Sequence, residues 1–218
     1  MKIDCIVTSW QRHDLLEKTL LSLLRDQEEV FSMIYIREDG IVDETKPILP
    51  NLYIKNSAWI SGTHIGQVAS IDHLMWEVRS EYYAHLEDDF MCVGNLKEGI
   101  EEAIEILENN PKCGSVSLRG PDKKDHNGHG YEEIDGVLRM KYGYGQFHGF
   151  SWAPSVRRLK DYHLIGSYGK HATFQPKKPW QAEADINKLY KDMGYWFATT
   201  KNKIFTHIGG GNLTTYGK

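Results

Sequence analysis

Glu81-Tyr82-Tyr83-Ala84-His85-Leu86-Glu87-Asp88-Asp89-Phe90 runs a short apolar and aromatic strand straight into three consecutive carboxylates. Each of those anions raises the energy of the others, so crowding them at a strand tip costs free energy. A bound cation relieves that repulsion, and hard divalent ions take oxygen ligands. A solvated acidic turn is the ordinary alternative for such a run. The surrounding chain decides between them.

Upstream, residues 2–8 read as a buried strand. Residues 14–25 follow with Leu15, Leu16, Leu20, Leu23 and Leu24 at helical spacing. A second strand is expected over 31–37, ending in Glu38-Asp39-Gly40, a short third over 52–55, and a helix over 64–78. Downstream, a helix over 96–108 stops at Asn109-Asn110-Pro111, and residues 115–118 form another strand. Strands alternating with helices argue for an α/β fold, a mostly parallel Rossmann-like sheet with helices on both faces. Ligands of such sheets collect outside the C-terminal strand ends. Three expected tips carry polar groups there: Thr8-Ser9 with Arg12 nearby, Glu38-Asp39, and Glu87-Asp88-Asp89.

Beyond Arg119 the texture changes to Gly, His and Tyr, with a hairpin expected over 131–142 around Asp135-Gly136 and a short strand over 147–152. A helix over 181–193 is expected to end at Gly194, followed by strands over 195–199 and 203–207. The 218 residues suit one domain, 1–218, with a Rossmann-like half (1–118) and a small C-terminal β region (119–218). The first half holds 10 Lys+Arg against 21 Asp+Glu, and the second 16 against 9. An acidic half suited to metal thus adjoins a basic half suited to an anion, unless the asymmetry is simple surface variation. No apolar run reaches membrane-spanning length, Asp4 interrupts any secretory start, and Cys5, Cys92 and Cys113 form no paired framework. The expected compartment is the cytoplasm.

In this order the motifs resemble those of nucleotide-sugar glycosyltransferases of the GT-A fold, most like family 2. Ile6-Val7-Thr8-Ser9-Trp10-Gln11-Arg12 resembles that family's opening strand and turn, and Glu38-Asp39-Gly40 its second acidic tip. Asp72 stands where the family places a helix asparagine, and Ile71 where it places an arginine. Glu87-Asp88-Asp89 fits its DxD motif with Glu first. Glu183-Ala184-Asp185, followed by Met193-Gly194-Tyr195, resembles the helix carrying the catalytic base, and His207 a metal-ligating histidine after the last strand.

The resemblance implies transfer of a sugar from a nucleoside-diphosphate donor, UDP-linked, to an acceptor hydroxyl with inversion. Mn2+ or Mg2+ would be held by Asp89 and His207, a nitrogen ligand favouring Mn2+. Thr8, Arg12, Glu38, Asp39, His64, Asp72, Glu87 and Asp88 would surround the nucleotide. Among these, Glu38 and Asp39 would accept from base or ribose, and Arg12 or His64 would face the diphosphate. Glu183 would be the general base, near a helix N-terminus that favours its ionised form. Each residue has a plainer use: Arg12 in solvating the first helix, Glu38-Asp39 as a turn, Glu183 as a first-turn acid, His207 at a strand end.

The acceptor side is expected in 120–180, where Lys123-Lys124, Arg157-Arg158 and Lys177-Lys178 lie beside Tyr142, Tyr144, Phe147, Phe150, Trp152 and Trp180. That pattern suits a phosphorylated or acidic glycan, a lipid-linked phosphate or a nucleic acid with modified bases, though core aromatics with solvated lysines fit as well. A sugar-nucleotide nucleotidyltransferase and a non-catalytic carbohydrate- or nucleic-acid-binding module are the competing classes. Ser9-Trp10-Gln11 lacks the glycines of a phosphate loop, which counts against the former.

Overall fold

The computed structural model describes residues 1–40, 49, 52–121, 130–141, 149–172 and 180–209. Its first half comprises β1 (Ile3–Ser9), α1 (His13–Leu23), α2 (Gln27–Val30), β2 (Phe31–Asp39), β3 (Ser57–Gly62), α3 (Gln67–Met75), β4 (Tyr82–Glu87), β5 (Phe90–Cys92), α4 (Leu96–Asn109) and β6 (Cys113–Ser117). The second half adds β7 (Tyr131–Ile134), β8 (Val137–Met140), β9 (Ser155–Arg158), α5 (Leu159–Ile165), a 3-10 turn (Tyr168–Lys170), α6 (Trp180–Asp192), β10 (Trp196–Thr199) and β11 (Phe205–His207).

The described strands form a nine-stranded sheet, β3-β2-β1-β4-β9-β6-β10-β8-β7, and a two-stranded ribbon of β11 with β5. β3, β2, β1 and β4 run parallel, and β9 inserts antiparallel between β4 and β6. Strand side chains alternate between faces, so each strand feeds two cores. Ile3, Cys5 and Val7 pack with Leu16 and Leu20 of α1 and Ile100 of α4, whereas Ile6 packs with Ile71 of α3 and Ile186 of α6. Helices therefore cover both faces of a mostly parallel sheet, as the alternation of elements implied. Thr8 lies level with Arg37 on one side and Glu87 on the other, which brings the three polar tips to one edge.

Several boundaries differ from expectation. The third strand lies at 57–62 because Asn56 takes a positive φ of 54° and redirects the chain, its carbonyl opening the pairing with Ile34. α3 starts three residues late, after Gly66 at φ 89°. Residues 149–152 are not strand, and the pairing falls on 155–158 instead. β5 was not anticipated; it pairs with β11, shorter than expected, and so returns His207 to the acidic tip. Gly194, at φ 75°, ends the α6 region as expected.

Arg157 and Arg158 overturn one expectation outright. Both are only 2% exposed, so neither offers a guanidinium to an acceptor. Arg158 donates to Asp161 Oδ2 (2.8 Å) and to the carbonyls of Leu107 (2.6 Å), Pro111 (2.9 Å) and Cys113 (2.5 Å). It bonds carbonyls at and just beyond the end of α4, a place that favours a cation. Phe150 and Trp152 are core aromatics as well. The lysine pairs at 123–124 and 177–178, Tyr142, Tyr144, Phe147 and the side chain of Trp180 lie outside the described residues. Arg158→Ala strands Asp161 and three carbonyls, so a stability loss of about 3–5 kcal/mol in urea denaturation is expected. A loss below about 1 kcal/mol would mark Arg158 as a surface residue.

Candidate active site

At the shared edge, Thr8, Ser9, Trp10, Arg12, Asp39, His64, Gln67, Ser70 and Glu87 line a solvent-open cleft of about 370 Å3. Five of the residues singled out from sequence are among them: Thr8, Arg12, Asp39, His64 and Glu87. Arg12 sits over the acidic tip. Its guanidinium pairs with both oxygens of Asp88, Nε at 3.1 Å from Oδ2, and its Nη1 lies 2.8 Å from Asp89 Oδ2. Asp88 is fully buried, and its carbonyl accepts from the Thr19 hydroxyl of α1 (2.7 Å), which ties the tip to that helix.

Burial sets the charge states here. It is the largest influence on Glu87, followed by the charges of Asp89, Glu183 and Asp88, and it pushes that carboxyl up to about 8. Asp88 rises to about 6, burial outweighing Arg12. Burial also works to raise Asp89, but His207 and Arg12 outweigh it and hold that carboxyl below the usual range. Glu87 is thus largely protonated at neutral pH, while Asp89 keeps its charge. Gln67 donates to Glu87 Oε1 (2.5 Å).

Asp89 and His207 meet as the resemblance implied, with His207 Nε2 3.2 Å from Asp89 Oδ2. A Cβ on Gly209 would fall 2.8 Å from Asp89 Oδ2 and 2.9 Å from His207 Nε2, so only glycine leaves the space beside this pair open. A carboxylate and an imidazole around such a space fit Mn2+ or Mg2+ as a partial ligand set. Among the described residues, no three His, Cys, Asp or Glu side chains gather into a complete metal cage. Oxygens of a substrate or of water would have to supply the remaining ligands.

The other residues singled out from sequence divide by what already engages them. Asp39 accepts from the backbone N–H groups of Ile65 (2.7 Å) and Gly66 (2.8 Å) and sits 2.9 Å from His64 Nδ1. It thereby fixes the loop that leads into α3. His64 stacks on Trp10 with ring centroids 4.8 Å apart. Glu38 is fully buried, is not among the residues lining the cleft, and accepts from the Gln11 amide (2.5 Å). Asp72 is absent from the cleft: it accepts from the Tyr162 hydroxyl (2.9 Å) and from the N–H groups of Tyr168 and Gly169 (both 2.8 Å). It anchors the 3-10 turn to α3.

Glu183 lies in the first turn of α6. Its Oε1 accepts from the Trp152 amide (2.8 Å). Burial raises its carboxyl above the usual range, against that amide and the nearby charges of Arg157 and Arg119. Glu183 is close enough for its charge to raise the Glu87 carboxyl. Asp185 is turned to Gln181 (3.0 Å). Sequence reasoning missed Gln67 and Ser70; their spacing of three on α3 was the available signal.

Comparison with solved structures assigns the fold. A mannosyltransferase from Pyrobaculum calidifontis, in complex with GDP-Man and Mn2+, superposes with a TM-score of 0.64 over 97% of this chain at 12% identity. The fold is GT-A. This chain spans 58% of that protein's length. A CMP:2-keto-3-deoxy-manno-octonic acid synthetase complexed with CTP matches 92% of this chain and 89% of its own, with TM-score 0.54 and 12% identity. The glycosyltransferase GlyE of Streptococcus pneumoniae matches 92% of this chain and 45% of its own, with TM-score 0.51 and 15% identity. No protein-family profile and no curated protein sequence matches the chain. The described residues also contain no helix long and apolar enough to cross a membrane.

Asp72→Ala tests the division drawn above. Losing three hydrogen bonds at the 3-10 turn is expected to cost roughly 1–3 kcal/mol in thermal or urea unfolding. Nucleotide affinity, read by calorimetry, should be unchanged. Normal stability with lost nucleotide binding would return Asp72 to the site.

Proposed function

We propose that this chain transfers a sugar from a nucleoside-diphosphate donor to an acceptor hydroxyl, with a divalent cation bound at Asp89 and His207. The observation that carries this reading is the cleft at the tips of β1, β2 and β4, joined through Arg12 to the Asp89–His207 pair, with Glu183 within electrostatic reach of Glu87. The GT-A fold, and the presence of GDP-Man and Mn2+ in one structure sharing it, lend support. Residues 1–118 bind the donor in this reading, and residues 119–218 face the acceptor. The base is uridine by the family resemblance; guanosine is the alternative suggested by the mannosyltransferase complex.

Bound Mn2+ or Mg2+ would neutralise charge on the diphosphate as the glycosidic bond breaks. The chain's own groups do the rest. Arg12 releases Asp89 and turns to the diphosphate, a bidentate partner well suited to a guanidinium. Thr8, Asp39, His64 and Glu87 line the nucleotide's side of the cleft. Asp88 stays as the buried anchor of the Arg12 arm. Glu183 takes the acceptor's proton as its oxygen bonds to the anomeric carbon, and the electron pair of the breaking C–O bond leaves on the diphosphate. Attack opposite the leaving group inverts configuration.

With Arg157 and Arg158 buried, an anionic acceptor rests on the lysine pairs outside the described residues. A nucleotidyltransferase reading draws on the synthetase of similar fold. Products separate the two: sugar transfer releases nucleoside diphosphate, whereas nucleotidyl transfer releases pyrophosphate.

Asp89→Ala is expected to abolish Mn2+-dependent binding of the nucleotide sugar in calorimetry, and wild-type affinity would refute the site. Glu183→Gln should keep donor binding and lose about 10²-fold or more in turnover. The base must be ionised, and burial raises Glu183, so wild-type turnover should fall with decreasing pH through a midpoint above the ordinary glutamate value. Glu183→Gln should erase that acid limb. An unchanged profile in the variant would remove Glu183 from the mechanism.

A further inference from the structure

The acid that the family resemblance assigns to the nucleotide's base or ribose is already committed within the protein. Asp39 is only 3% exposed, and its two oxygens accept from the Ile65 and Gly66 amides. Beside it stands His64, which lines the cleft with its side chain 51% exposed. Its Nδ1 lies 2.9 Å from Asp39 Oδ2 and 3.2 Å from the Asp39 carbonyl. Both of those oxygens are acceptors, so Nδ1 carries the hydrogen. A neutral imidazole in that tautomer presents Nε2 as a lone pair. Among the described residues no group bonds Nε2.

The surrounding loop holds this ring in place. Arg37, buried on β2, reaches the Thr63 carbonyl (3.4 Å), so β2 pins the chain on both sides of His64. One face of the imidazole stacks on Trp10, with centroids 4.8 Å apart and planes 23° from parallel. A flat ligand bonded edge to edge with Nε2 would run nearly parallel to the indole. Unpaired bases are commonly read in this way, by aromatic planes together with hydrogen bonds to the Watson–Crick edge. Uracil and guanine carry a ring N–H on that edge, which the Nε2 lone pair can accept. Cytosine and adenine carry a ring lone pair there instead.

We propose that His64, through Nε2, selects the nucleotide's base, taking uracil or guanine over cytosine or adenine, with Asp39 as the positioning residue that fixes its tautomer. The proposal rests on the donor-binding reading above and adds which residue discriminates among bases. A contact from His64 to the diphosphate is the competing use of the same ring.

The test measures Mn2+-dependent affinities by calorimetry at about pH 8, above the ordinary imidazole range. UDP is compared with CDP, and GDP with the diphosphate of 2,6-diaminopurine riboside. Each pair exchanges the ring N–H for a ring lone pair at nearly constant shape. Wild type should favour the N–H member of at least one pair by about tenfold or more, because the other member leaves Nε2 unpaired. His64→Phe keeps an aromatic face for Trp10 and removes the lone pair, so it should bring that ratio to about one. Equal wild-type affinities within both pairs, or a preference for the lone-pair member, would overturn the proposal with nucleotide binding intact. Discrimination that survives His64→Phe would overturn it too. In that variant, equal weakening of both members at an unchanged ratio would assign the ring to the diphosphate. Failure of all four nucleotides to bind with Mn2+ would overturn this proposal together with the function it rests on.

Discussion

The guanidinium of Arg12 between Asp88 and Asp89 is the contact on which the rest of the site depends. Two unit charges about 4 Å apart interact by about 4 kcal/mol at an effective dielectric near 20, so adjacent buried carboxylates need a resident countercharge. Arg12 supplies it from the turn after β1, and Thr19 of α1 holds the Asp88 carbonyl, so strand, turn and helix meet at one anionic point. Glu87 escapes the repulsion by keeping its proton. What remains is a tip with one arginine shared by two aspartates.

The fold around this point uses buried polar groups as ties. Asp39 fixes the loop before α3, Asp72 fixes the 3-10 turn against α3, and Arg158 gathers the carbonyls at the end of α4. Each is charged and well supplied with partners, the condition under which a buried charge is tolerated. Arg157 instead donates to Ser155 Oγ and the Ser151 carbonyl, with the phenols of Tyr83 and Tyr168 close by.

Much of this was legible in the sequence. The apolar strand running into Glu87-Asp88-Asp89 located β4, and the leucine spacing of α1 and the Asn109-Asn110-Pro111 stop of α4 located two helices. The convergence of three tips followed from parallel topology. What failed did so for physical reasons. Ser155-Val156-Arg157-Arg158 reads as a basic surface patch, because nothing local reveals that a sheet will close over both arginines. Asp72 matched a family position while its partners lay some ninety residues on, and β5 is too short to announce itself without β11. Long-range pairings decide these cases, and a linear pattern does not carry them.

The most direct measurement is a crystal structure of the protein with Mn2+ and a nucleoside diphosphate. The expected result is an ion bonded to Asp89 and His207 Nε2 beside Gly209, with the diphosphate completing its shell and Arg12 moved from Asp89 to phosphate. A diphosphate bound elsewhere, with Arg12 still bridging Asp88 and Asp89 and no ion at His207, would contradict the account.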